Sequence, residues 1–327
     1  MPARRRFVVL GFLLLFACPL LAGAASPAEE QAQRQVTQPG NNAPLWREVR
    51  SGQAHSTTAQ GVEAGVLIQA GGEAWRELRP WIAAGGALIL VFSVAALGLF
   101  YRWRGPIEVT GKPTGRMIER FDTLDRWAHW TMGASFVLLA VTGLVLSFGK
   151  YVLLPVIGYT LFSLLAAVSK GLHNFLGILF MLSLAFFIVR FVRDNLPRAY
   201  DVDWLLKFGG MFSRKHVPSG RFNAGEKTLF WGLVCVFSVL LCVSGLVLDF
   251  PNFRQGRGIM QLANVVHFSV ALLAIAASLF HMYLGTIGMK GALDAMRTGL
   301  VDEAWAKEHH EIWYAEVKAG RSRQHSR

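Results

Sequence analysis

The chain has 327 residues, of which 53% are hydrophobic and 17% charged, with a formal net charge of +12. The apolar residues fall in long blocks separated by charged loops, which points to an all-α integral membrane protein and away from a soluble globular one. The basic residues lie between those blocks, so they read as orienting charge at a membrane surface, and no nucleic-acid partner is expected.

Residues 1–24 read as a secretory signal peptide: Arg4, Arg5 and Arg6 precede the apolar run FVVLGFLLLFACPLLAGA, and Ala22-Gly23-Ala24 supplies a cleavage site. Residues 25–80 are polar, rich in Pro, Gln, Gly and Asn, and show no strong period. They are expected to form a partly ordered arm on the outer, periplasmic side, draped over a partner.

Five further apolar blocks follow: Trp81 to Tyr101, then about Trp127 to Phe148, Leu172 to Val192, Thr228 to Phe250, and Asn264 to Lys290. Each is near the roughly 20 residues that a spanning helix needs. Residues 102–290 thus hold a four-helix domain, 81–101 an extra N-terminal transmembrane helix, and 291–327 a tail.

The loops give orientation. Segments 102–126 and 190–227 are rich in Lys and Arg, as is the tail, whereas 149–171 has only Lys150 and Lys170 and 250–263 only Arg254 and Arg257. The positive-inside rule makes the richer loops and the C-terminus cytoplasmic. Trp103, Trp127, Trp130, Trp204 and Trp231 mark the same boundaries.

The three cysteines, Cys18, Cys235 and Cys242, form no C-x-x-C or C-x-x-C-H motif. Any cofactor is therefore held by histidine. Cys235 and Cys242 read as packing residues in the fourth span.

Four of the nine histidines lie in or at the edge of the spans: His129, His173, His267 and His281. His267 and His281 are fourteen positions apart, a rise of roughly 21 Å with both imidazoles close to one helix face. With the orientation above, the four sort into an outer pair, His173 with His267, and an inner pair, His129 with His281. Two histidines at one depth can fill both axial positions of a b-type haem. The residue four positions beyond each histidine is Gly133, Gly177, Ala271 or Gly285, leaving room for a flat macrocycle. Any one of these histidines alone reads as an interfacial or interhelical hydrogen-bonding residue. Zinc wants three or four clustered ligands, and a proton relay would bring more acids than Asp249. Two depth-matched pairs favour two haems b. His55, His216, His309, His310 and His325 read as solvated surface residues.

Several stretches resemble the gamma subunit of formate dehydrogenase. FDTLDRWAHWTMGASFVLLAVTGLVLSFG resembles its first cytochrome helix; GLHNFLGILFMLSLAFFIVRFVRDNLP, DVDWLLKFGGMF and RFNAGEKTLFW resemble its second helix and the following loop. VVHFSVALLAIAASLFHMYLGTIGMKGALDAMRTGLVDEAWAKEHHEIWY resembles its last helix and tail. The superfamily includes cytochrome b subunits of nickel–iron hydrogenases and of thiosulfate reductases, so a hydrogenase or other periplasmic reductase is the alternative redox assignment; a non-redox membrane anchor is the alternative of another class. The resemblance implies a four-helix transmembrane di-haem cytochrome b with haem ligation by the same four histidines. It also implies a quinone, menaquinone or ubiquinone, contacted by Asn223 and Gly225 near His281. From the residues alone, Asn223 and Gly225 read equally as the N-terminal cap of the fourth helix. Glu226 stands where shorter members have glutamine. The implied partners are an iron–sulfur beta subunit and a molybdenum or tungsten alpha subunit that would carry the formate chemistry. This chain is then an electron-transfer subunit with no formate-oxidising residues of its own.

Overall fold

A computed structural model of the chain describes residues 46–47, 50–51, 70–213, 216–251, 253 and 256–320. The signal reading, most of the outer arm, His55 and His325 lie outside the described residues. The long helices are α1 (Ala70–Arg104), α2 (Thr123–Val152), α3 (Leu154–Phe191), α5 (Ala224–Asp249) and α6 (Arg257–Tyr283). All five are long and apolar enough to cross a membrane. Short helices α4 (Ala199–Leu206), α7 (Ala292–Thr298), α8 (Glu303–His309) and α9 (Glu311–Lys318) gather at one end.

The long helices pack as two hairpins, α2 on α3 and α5 on α6, which meet along α3 and α5, while α1 lies against α6. This is the four-helix bundle with one extra N-terminal helix that the hydropathy pattern predicts. Gly86 lets α1 approach closely, because a Cβ there would fall 2.2 Å from Leu272 Cδ1. Outward faces carry exposed large apolar residues, such as Phe92 and Leu99 on α1, Phe175 and Val189 on α3, and Val243 on α5. In water such a belt would be costly; in lipid it is solvated.

Two boundaries differ from the sequence reading. Helix α1 begins eleven residues before Trp81 and continues through Pro80, which removes one backbone donor without ending the helix. Helix α3 begins at Leu154 rather than Leu172, so most of the expected outer loop 149–171 is helical. The segment is apolar, with Gly158 at φ 74° and ψ 173° breaking the helix only near its start. His173 consequently sits well inside α3 rather than at its opening.

At the other end a two-stranded antiparallel ribbon joins the start of the bundle to the tail. Strand β1 (Met117–Glu119) pairs with β2 (Leu300–Asp302) in the register Met117 with Asp302, Ile118 with Val301 and Glu119 with Leu300. Arg120 N–H and Phe121 N–H then both donate to Gly299 O. Gly299 has φ 87°, and a Cβ there would meet Phe121 O at 2.4 Å, so both the backbone and the contact require glycine. The ribbon folds the tail under the helix ends, and Phe121, Phe191, Phe230, Trp305 and Trp313 form one core there.

Candidate functional site: two histidine pairs and a cavity

Asp122 caps α2 by accepting the Asp125 N–H at 2.7 Å, and Arg190 of α3 pairs with both Asp122 and Asp125 at 2.6 and 2.7 Å. Arg221 reaches Asp125 at 2.8 Å and Asp194 at 2.5 Å. These contacts fix the register of α2 against α3 and against the loop that enters α5. They hold His129, nearly two turns into α2, facing His281 of α6.

The four histidines meet in the two pairs expected from spacing. The rings of His129 and His281 have centroids 6.0 Å apart with planes at 59°. Those of His173 and His267 are 6.2 Å apart at 74°. Two metal–nitrogen bonds of about 2 Å plus two ring radii of about 1.1 Å come to roughly 6.2 Å, so one iron fits between the rings of each pair. Gly133, Gly177 and Gly285 face open space in which a Cβ would meet nothing within 4 Å, as a cradle for a macrocycle requires. Among the described residues no three His, Cys, Asp or Glu side chains cluster as a metal site.

Sequence reasoning missed two residues here. His173 Nδ1 lies 2.9 Å from Thr142 Oγ1 of α2, and His267 Nδ1 lies 3.0 Å from Ser244 Oγ of α5. Each is followed by a glycine, and a Cβ on Gly143 or Gly245 would lie 3.3 Å from the Cε1 of its histidine. The signal was available as an internal repeat, LAVTGLVLSF at 139–148 and LCVSGLVLDF at 241–250.

A cavity of about 1610 Å³ opens beside the His129–His281 pair and runs toward the ribbon end. Gly133, Gly285, Phe136, Trp204, Phe208, Asn223, Gly225, Glu226 and Arg120 are among its walls. Its volume exceeds the roughly 300–1,000 Å³ of a pocket for one small ligand. Helix α6 gives way to a π-helical turn, Leu284–Gly288, three residues after His281, and α5 has a π-helical stretch, Phe230–Ser238. Such bulges are frequent at functional sites.

Asn223 is the N-cap of α5: its Oδ1 accepts Glu226 N–H at 2.9 Å, and the Glu226 carboxylate accepts Asn223 N–H at 2.8 Å. The capping reading therefore holds, and the same residues line the cavity. A Cβ at Gly225 would sit 2.7 Å from Trp204, so glycine lets that indole lie against the turn. Arg120, 5% exposed, donates to Glu226 at 3.0 Å and to Arg221 O at 2.8 Å. Lys227 and Asp201 form a buried ion pair at 2.8 Å.

Two histidines read as solvated surface residues are not. His310 is 2% exposed, packed on Trp305 and donating from Nδ1 to Gly220 O at 2.7 Å. Burial, with the Arg120 charge nearby, holds its imidazole at about 3, well below the usual range. His309 is partly buried and is held by burial at about 4. Their neighbour in the ribbon end, Glu303, is held at about 2 by hydrogen bonds from Lys318 and Tyr314. His216 does lie exposed, paired with Glu311 at 2.9 Å. Cys235 and Cys242 pack against the core, as expected, with free thiols.

A bundle of long apolar helices with imidazoles paired across it is the architecture expected of a membrane cytochrome b. The profile of the prokaryotic cytochrome b561 family matches residues 120–299, and the chain belongs to that family. Its relatives include the cytochrome b556(Fdn) subunit of the nitrate-inducible formate dehydrogenase of Escherichia coli, 32% identical over 216 residues, 64% of this chain and 96% of that one. The cytochrome b556(fdo) subunit from the same organism is 32% identical over 204 residues, covering 62% and 93%. The formate dehydrogenase cytochrome b556 subunit of Haemophilus influenzae is 27% identical over 204 residues, covering 61% and 83%. Family membership implies haem b, and the histidine pairs and glycine-lined spaces fit it.

Proposed function

We propose that this chain is the membrane cytochrome subunit of a formate dehydrogenase, embedded in a bacterial inner membrane with its ribbon end and C-terminus cytoplasmic. Electrons from a periplasmic iron–sulfur subunit would pass through two haems b to a quinone, while formate is oxidised on a separate molybdenum or tungsten subunit. The observation that carries this reading is the pair of imidazole gaps, 6.0 and 6.2 Å, in a member of the cytochrome b561 family. The similarity to formate dehydrogenase subunits over nearly their whole length favours that complex over a hydrogenase.

Each residue has a part in this scheme. His173 and His267 hold the outer haem and His129 and His281 the inner one, each through a neutral ring nitrogen. The haems supply reversible one-electron carriage when bound. The cavity beside His281 receives the quinone. Asn223 uses Oδ1 for its cap, leaving Nδ2 to donate to a quinone carbonyl, and Gly225 keeps the wall low. Glu226 borders the same space and is oriented by Arg120, in position to pass a proton from the cytoplasmic side. Electrons moving inward and protons taken from the cytoplasm together charge the membrane.

Haem content decides the matter. The purified complex should contain two haems b per copy of this chain; His267→Ala should lose the outer one and His281→Ala the inner one. A colourless protein, or variants that keep both haems, would sink the reading. The subunits that co-purify separate a formate dehydrogenase from a hydrogenase.

A further inference from the structure

We infer that Thr142 and Ser244 are a matched pair of positioning residues that fix the tautomer of His173 and His267 and lower the reduction potential of the outer haem below that of the inner one. This rests on the two-haem reading above, and it goes beyond that reading by assigning the direction of electron flow to two hydroxyl groups.

A hydroxyl has one proton to give. Thr142 Oγ1 donates it to Leu138 O at 2.8 Å, one turn back on its own helix, and Ser244 Oγ donates to Leu240 O at 2.6 Å. Towards the histidines, at 2.9 and 3.0 Å, each oxygen can then only accept. Both rings must carry the proton on Nδ1, which leaves the Nε2 lone pair free as a metal ligand. The following glycines, Gly143 and Gly245, admit each ring to within 3.3 Å of where a Cβ would be. The same hydroxyl–glycine pair therefore serves one histidine in each hairpin. The two copies of the repeat, on α2 and α5, carry the same arrangement.

The inner pair has no counterpart. His129 Nδ1 is buried without a hydrogen-bond partner, and no side-chain hydroxyl bonds to His281 among the described residues. A hydrogen bond accepted from Nδ1–H makes the other nitrogen more basic, and a more basic axial ligand favours the more highly charged iron. Both outer ligands gain this effect from a hydroxyl, and among the described residues neither inner ligand does. The outer site is thus the harder to reduce, and an electron placed there moves inward downhill.

The test is redox potentiometry on the purified complex, reading the two haems separately by their optical bands. Thr142→Val and Ser244→Ala should each raise the reduced-to-oxidised ratio of the outer haem at fixed potential by about tenfold, a shift of about 59 mV for one electron. The inner haem should stay put, and Thr142→Ser, which keeps the hydroxyl, should restore the native value. Two haems retained with unshifted potentials would overturn the inference, as would a shift confined to the inner haem. Loss of the outer haem in Thr142→Val that Thr142→Ser reverses supports it; loss in both overturns it. Fewer than two haems in the unaltered complex would instead remove the two-haem reading itself.

Discussion

Asn223 and Glu226 cap one another at the start of α5, each side chain accepting the other's backbone N–H, at 2.9 and 2.8 Å. The cap and the proposed quinone contact can be separated by substitution. Asn223→Ala should cost about 1 kcal/mol of stability, within the usual 0.5–2 kcal/mol for a lost N-cap. Asn223→Ser keeps a capping oxygen but loses the amide donor, so it should melt like the native protein and still reduce quinone several-fold more slowly. Native quinone reduction in Asn223→Ser would leave the residue a cap and nothing more.

The open spaces beside the ligands make a second prediction. Gly285→Leu places a branched side chain where a Cβ now meets nothing, in the π-helical turn that follows α6. The inner haem should be lost and the outer retained, while Gly177→Leu should do the reverse. Haem spectra of the two variants check this. Two variants with full haem content would show that these glycines serve packing alone.

Lys227 and Asp201 tie α4 to the base of α5 away from bulk water. Lys227→Met leaves a buried carboxylate that also accepts the Arg198 N–H. Breaking such a pair costs about 3–5 kcal/mol. Adding Asp201→Asn should recover most of that loss. A double-mutant cycle in detergent reads the coupling, and a cycle that sums to zero would contradict it.

The ribbon end should loosen in acid, in two stages. His310 titrates at about 3 in the folded chain and near 6.5 when unfolded, so the unfolded state binds the extra proton between those values. Its contribution is complete above pH 6.5 and is lost as the pH falls toward 3. Glu303, at about 2 when folded against about 4.5 otherwise, adds a second loss below pH 4.5. Hydrogen-exchange protection of residues 299–318, corrected for intrinsic rates, should therefore decline between pH 6.5 and 4.5. His310→Asn should flatten that part of the profile; unchanged protection across that range in the native protein would refute the assignment.

The spans and the pairing of the four histidines were legible because they depend on quantities local to the chain. Apolar length marks a helix that crosses, and fourteen residues of rise set two layers whatever the partners do. His310 was misread because its burial comes from β1 pairing with β2, which brings residue 302 against residue 117. Nothing near His310 in sequence announces that fold-back. The start of α3 was missed for a different reason: the third block was begun at Leu172, although the apolar residues from 154 onward already sustain the helix. Thr142 and Ser244 were hidden inside apolar blocks, visible only by setting one block against the other.

Helix α6 acts as a ruler. It contributes one histidine to each layer, so the spacing between layers on that side is written into one continuous run of intrahelical hydrogen bonds. The two hairpins can breathe against each other without changing it. Removing a single residue between His267 and His281 would turn one ring by about 100° and shift it by about 1.5 Å relative to the other. One layer would lose its ligand geometry while the other kept it. In the proposed scheme the spacing of the two haem sites along α6 is therefore set by covalent count.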